Sequence, residues 1–208
     1  MKRRLQLCVV ALTLALVGGT VSTETASAGV WTTDCGPQLF EQPFLPWLDP
    51  FQYVLAPDGG FEGGAAGWTL TGRARVVSGN EPFRVRSATD AHSLSLPMGS
   101  SATSPPMCIG VDAPTARLFA SNSGSLLSTL RVDVVSRNAL GLETTLPVTV
   151  LLGTRAWQPT LPFPVLANLT SLGLLENGTA QVSFRFTPMG VLGGWRIDDV
   201  YVDPFKGT

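Results

Sequence analysis

The strictest constraint in this chain is the rhythm of residues 181 to 188, QVSFRFTP. In an extended backbone Val182, Phe184 and Phe186 fall on one side, and Ser183, Arg185 and Thr187 on the other. Successive strand side chains point to opposite faces, so this alternation marks a strand with one buried and one wet face. The rhythm recurs. STLRVDVVSRNALG turns Leu130, Val132 and Val134 inward and Arg131 and Asp133 outward; HSLSLP puts Leu94 and Leu96 on one face; TARLFASNSG follows suit. WTLTGRARVVSG reads as two short strands around Thr71-Gly72, and LPVTVLL (146 to 152) as a strand starting on an edge because of Pro147. With 22 glycines and 16 prolines, few uninterrupted windows reach helical length. Only NLTSLGLLENG, with Leu169, Leu172 and Leu175, offers a turn or two of helix. Many short strands at close spacing predict an all-β sandwich or barrel.

The N-terminal stretch has a different character. MKRRLQLCVVALTLALVGGTVSTETASA carries three cations, an apolar run from Leu5 to Val17, and small residues ending Ala26-Ser27-Ala28. These are the three regions of a secretory signal peptide over residues 1 to 28. A membrane span needs about 20 apolar residues, and this run stops at Gly18-Gly19. The expectation is a secreted, extracellular protein with no membrane span in the mature chain. Loss of Lys2, Arg3, Arg4 and Glu24 leaves eleven basic and fourteen acidic residues, a net charge of −3. A nucleic-acid partner would call for a basic face, which this balance does not supply.

Two cysteines survive cleavage, Cys35 and Cys108. In an oxidising compartment an isolated pair is expected to be bridged. Closing so long a loop is worth about 4 kcal/mol in the chain-entropy model. Between them lies EQPFLPWLDPFQYVLAP, with Pro43, Pro46, Pro50 and Pro57. Such closely spaced prolines suit neither a helix interior nor a central strand. Residues 29 to 57 therefore read as an extended N-terminal arm, its Phe44, Trp47, Phe51 and Tyr53 available to fill grooves on a body spanning 58 to 208.

Two segments at opposite ends of that body belong together: APDGGFEGGAAGWTLTG (56 to 72) and GGWRIDDVYVDP (193 to 204). The opening G-x-F-E-x-G…GW with the closing W-x-I-D-D-V-x-V resembles the jelly-roll carbohydrate-binding modules of the galactose-binding-like type. The closing pattern is also similar to that of jelly-roll adhesion domains on cell surfaces. The resemblance implies a jelly-roll β-sandwich whose first and last strands are neighbours, with a structural Ca2+ ion where they meet. Carried onto this chain, the ligands are Glu62 and the pair Asp198 and Asp199, completed by backbone carbonyls near Asp58, Gly59 or Gly60. An ion there would relieve the repulsion between two adjacent carboxylates in an apolar strand. The alternative needs no metal: strict alternation puts Asp199 with Trp195, Ile197 and Tyr201 on one face and Asp198 on the other. One aspartate then pairs with an arginine such as Arg73 or Arg185, or accepts backbone N–H groups at a bulge.

Catalytic equipment is sparse. The one histidine, His92, is flanked by Ala91 and Ser93 and reads as an exposed strand-edge or loop residue. One histidine and two separated cysteines make no zinc site, and no G-x-S-x-G elbow occurs. A glycosidase needs only two carboxylates; Glu81 in SGNEPFRV is the first to test, though it reads as a surface loop acid. Two function classes follow. The resemblance implies a non-catalytic carbohydrate-binding module with a glycan partner. For that role Trp157 in GTRAWQPTLPF, with Arg155 and Gln158 beside it, offers an aromatic face and polar groups for sugar hydroxyls. The other class is an extracellular structural or adhesion domain with a protein partner on a cell surface, favoured by an aromatic content of 8%, lean for a sugar platform.

Overall fold

A computed structural model describes residues 38–110, 115–137, 143–165 and 179–203. The leader, Cys35 and with it the expected Cys35–Cys108 bridge, and the helical turn expected in 168 to 178 lie outside the described residues. Apart from one 3-10 turn, Leu45–Trp47, the described elements are strands, and no described helix is long and apolar enough to cross a membrane.

Among the described residues the strands follow in chain order: β1 (Val54–Leu55), β2 (Thr69–Thr71), β3 (Arg75–Ser78), β4 (His92–Pro97), β5 (Ser101–Thr103), β6 (Met107–Gly110), β7 (Thr115–Asn122), β8 (Thr129–Arg137), β9 (Glu143–Leu151), β10 (Gln158–Pro159), β11 (Phe163–Pro164), β12 (Thr179–Met189) and β13 (Gly194–Val202). They form two antiparallel sheets packed as a jelly-roll β-sandwich. The first runs β10-β7-β13-β4-β3, with β1 also on β13 and β11 also on β7; the second runs β2-β5-β12-β8-β9, with β6 also on β12.

The alternation read from the sequence sets the core. Val182, Phe184 and Phe186 of β12 and Leu130, Val132 and Val134 of β8 meet Leu94 and Leu96 of β4, Leu118 of β7 and Trp195 and Ile197 of β13, all fully or almost fully buried. Pro147 lies in β9, the edge strand of its sheet, where a missing N–H disturbs no central ladder. Trp68 and Trp195 are both core residues.

The arm from Gln38 onward is ordered against the outside of the first sheet. Phe44 and Tyr53 are completely buried there with Phe119 of β7 and Tyr201 of β13, and Trp47, Leu55, Val85 and Trp157 pack around them. Phe44 lies edge-on to Tyr53 at 5.0 Å and to Tyr201 at 5.8 Å. A buried ion pair joins Asp49 of the arm to Arg117 of β7; the Tyr53 hydroxyl donates to the same Asp49 at 2.8 Å, and the Arg117 guanidinium lies 4.2 Å over the Phe44 ring. Phe44, Trp47 and Tyr53 fill grooves as expected; Phe51, and Phe40 before them, stay half-exposed.

Candidate functional site

The question of the adjacent aspartates resolves in the register of β13. Asp198 faces Phe119 of β7, while Tyr201 faces Arg117. Three steps on β13 thus span two on β7, the signature of a β-bulge. Asp199 is the extra residue, with φ of 46°, in the left-handed region that aspartate tolerates better than most side chains. The bulge resets the alternation. Trp195 and Ile197 point inward before it, Val200 and Val202 point inward after it, and Tyr201 joins the outer cluster under the arm. The face assignment from strict alternation therefore fails beyond Asp198. The bulge sits where β13 changes partners along one edge, from β4 up to Ile197 to β1 from Tyr201.

Both carboxylates are fully buried. Asp198 accepts the backbone N–H groups of Glu81 at 3.1 Å and of Asp199 at 3.0 Å. Among the described residues Asp199 has no hydrogen-bond donor to either carboxylate oxygen; the Arg86 Nε lies 3.9 Å from its Oδ1. Arg86 is itself held by Asp90 at 2.9 and 3.0 Å. Burial, then the charge of Asp199, pushes the Asp198 carboxyl up to about 9. Burial, then Glu81, raises Asp199 to about 7, with Arg86 pulling the other way. Gly60 lets the opening motif approach: a Cβ there would stand 2.9 Å from Asp199 Oδ1 and 3.1 Å from Arg86 Nε. The two motifs are thus neighbours, tied also by hydrogen bonds from Ala56 N to Val200 O at 2.8 Å and from Val200 N to Gly59 O at 3.1 Å.

The expected metal set is not assembled. Glu62 turns to the start of β4, where Oε1 accepts Ala91 N–H at 2.7 Å and His92 N–H at 2.8 Å, and Oε2 meets His92 Nδ1 at 2.7 Å. Burial would raise its carboxyl, but the His92 contacts and the Ala91 N–H hold it below its ordinary value. Among the described residues no three acidic, histidine or cysteine side chains converge as a metal site. The orphaned Asp199 carboxylate is the one element suited to an ion, and the adjacent guanidinium of Arg86 already provides positive charge. Sequence reasoning missed Arg86; its signal was the spacing of Arg86 and Asp90, four residues apart in the loop after Glu81.

Glu81 corrects a second expectation. It is fully buried, not a surface acid. Its Oε1 accepts Val85 N–H at 2.9 Å and its Oε2 the N–H of Phe83. The carboxylate organises the loop and leaves no oxygen facing a substrate. His92 is the first residue of β4, a strand flanked by β13 and β3, and its side chain is engaged by Glu62.

Trp157, Arg155 and Gln158 lie together at the β10 edge of the first sheet. Arg155 and Gln158 are exposed, while the Trp157 ring is half-buried against the arm cluster, with the Arg196 guanidinium 5.6 Å from its centroid. The Arg155 carbonyl accepts the Ser121 hydroxyl at 2.8 Å. Trp157 thus closes the rim of a covered face. The outward face of the second sheet is different. Cross-strand pairing aligns Thr69, Thr103, Arg185 and the buried Asp133 in one row, and beside it pairs Thr71 with Ser101 and Thr187 with Arg131. Arg185 reaches Thr103 at 3.1 Å, Thr145 at 3.4 Å and Glu143 at 2.8 Å; Arg131 pairs with Asp133 at 3.1 Å. Thr69, Thr71, Thr145 and Glu143 are exposed along it.

No family model and no curated protein matches this chain. Solved structures do. A Clostridium thermocellum endo-1,4-beta-D-xylanase 10B structure comprising its CBM22-1 and GH10 modules, complexed with xylohexaose, superposes with a TM-score of 0.51 at 12% identity, covering 76% of this chain and 29% of that one. The N-terminal CBM22-1-CBM22-2 tandem of Paenibacillus barcinonensis Xyn10C gives 0.50 at 12% identity, covering 76% and 46%. This chain spans less than half the length of either. At such identity the likeness establishes the fold, the jelly-roll type implied by the opening and closing motifs.

Proposed function

We propose that the chain is a non-catalytic carbohydrate-binding module of an exported protein, its ligand lying on the outward face of the second sheet. The observation that carries this reading is the polar row centred on Arg185. Sugar hydroxyls both donate and accept, and a face presenting the exposed Thr69 beside the Arg185 guanidinium, with the exposed Thr145 and Glu143 that Arg185 reaches, answers both needs. On the first sheet the arm covers the outward face around Phe119 and Tyr201, and in the remaining outward row of Arg75, Ser95, Arg196 and Ser121 the Arg196 guanidinium is committed to Ser78 O, Gly79 O and the Ser93 hydroxyl. The xylohexaose complex among similar folds makes β-linked xylan the first polymer to try. In this reading Arg86, in place of the calcium ion expected from the motif, supplies positive charge beside the buried acids at the bulge and offsets them only in part.

Retardation on gels containing soluble xylan and other β-linked polysaccharides tests it. Retention should disappear in Arg185→Ala and persist in Trp157→Ala. The opposite result would move the ligand to the Arg155–Gln158 edge loop. Absence of retention on every polymer would instead favour the adhesion domain with a protein partner.

A further inference from the structure

One end of the sandwich is apolar in a way the glycan reading does not use. Leu126 and Leu127 (β7–β8 loop), Val191 and Leu192 (β12–β13 loop), Leu152 (after β9) and Met98 (β4–β5 turn) are exposed there, Leu127 by 87% and Leu152 by 82%. The four loops are stitched into one surface: Ser125 N donates to Leu192 O at 3.0 Å, Met98 N to Gly193 O at 2.9 Å, and Asn122 N to Thr154 O at 2.8 Å. The Gly72 turn abuts the same surface, since a Cβ on Gly72 would stand 2.6 Å from Gly99 O. Monomeric proteins seldom expose large contiguous apolar patches, and those that do use them for protein or membrane contact.

The charges at this end are of one sign. TGRAR (71 to 75), PMGSS (97 to 101), NSGSLLSTL (122 to 130), VLLGTRAW (150 to 157) and TPMGVLGG (187 to 194) contain no Asp, Glu or Lys, and three arginines: Arg73, Arg75 and Arg155. None of these three has an ion-pair partner among the described residues. The strand ends flanking residues 111–114, 138–142 and 166–178 lie at the opposite end of the sandwich, where Gly110 pairs with Thr179, Thr115 with Pro164 and Arg137 with Glu143.

We propose that this end docks onto an anionic lipid surface, the aliphatic tips entering the acyl boundary while Arg73, Arg75 and Arg155 meet the phosphates. Three features select this partner. Protruding tips enter a fluid bilayer without a matching concavity. Acid-free loops avoid repulsion by anionic headgroups, and arginines beside inserted side chains gain from a negative surface. A tip-to-tip dimer is disfavoured, because two-fold symmetry would bring the same arginines face to face.

Sedimentation of the purified protein with vesicles of phosphatidylcholine plus phosphatidylglycerol, and with phosphatidylcholine alone, tests the proposal. Binding should be stronger to the mixed vesicles and weaken with salt. Arg73→Ala should lower it about fivefold on mixed vesicles only, and L127D with L192D about tenfold or more on both. Unchanged far-ultraviolet dichroism would verify that these exposed substitutions leave the fold intact. Leu127→Trp adds an independent readout, a blue shift of its emission when vesicles are added. No sedimentation with either vesicle would overturn the proposal. So would undiminished binding by the double variant, or a dimer in solution that L127D dissolves while vesicles leave the Leu127→Trp emission unmoved.

Discussion

Replacing Asp199 by asparagine should stabilise the protein at alkaline pH and not at acid pH. The folded carboxyl titrates near 7 against an ordinary value of 3.8, so the folded state keeps a proton that the unfolded chain releases. Its contribution is intact below about pH 4 and is lost progressively as pH rises to about 7 and beyond. A gap of roughly three decades in proton affinity corresponds to about 4 kcal/mol of lost stability at pH 8. Asparagine removes the charge, keeps the shape and accepts the left-handed backbone, but its buried amide needs partners and costs about 1–3 kcal/mol without them. The net gain should be about 2 kcal/mol at pH 8, a rise in melting temperature of about 4–8 °C. At pH 4 the variant should equal or fall below the parent. Thermal melts across pH 4 to 8 measure the difference curve. A flat curve, or a loss at pH 8, would refute the claim that Arg86 leaves this carboxylate undercompensated. Repeating the pH 8 melt with excess calcium and then chelator examines the ion directly. We expect no change; a calcium-dependent rise absent from D199N would mean that the carboxylate holds an ion after all.

Gly60→Ala should cost about 1–3 kcal/mol in chemical denaturation, because its methyl group would press on both Asp199 and Arg86; an unchanged midpoint would mean that the contact relaxes freely. Arg117→Met should cost about 3–5 kcal/mol by leaving Asp49 buried without its cation. Limited proteolysis should then cut the arm between Gln38 and Tyr53 earlier than in the parent, and equal cutting rates would show that the aromatic cluster alone holds the arm.

The legible parts of the fold were those in which one strand carries its own information. In β4, β8 and β12 alternation alone assigned each inward residue, since burial on one face imprints a period of two on the sequence. β1, β5, β6, β10 and β11 escaped notice, being two to four residues long and too short to show a period; β2 and β3, no longer, were marked by the Thr71-Gly72 turn between them. The bulge could not be read because it is a relation between two strands: the extra residue exists only against the register of β7. The site was half legible for the same reason. That the two motifs meet followed from the resemblance, but which acids meet depended on side-chain direction. Glu62 turned to β4, and Glu81, a loop residue separated from Asp198 by 117 positions, moved inside.

The difference between the two outer faces was nevertheless written in the strands. β7 and β13 place Phe119 and Tyr201 on the outside of the first sheet, together with the cation of Arg117. A sheet with apolar residues on both sides must be covered on both sides, and the arm meets that demand with Phe44 and Tyr53 for the rings and Asp49 for the charge. β5 and β12 instead place Ser101, Thr103, Ser183, Arg185 and Thr187 outward, side chains that water satisfies without a cover. Covering the Phe119–Tyr201 part of the first sheet and leaving these strands of the second to water are thus two consequences of one choice of outward residues, made strand by strand.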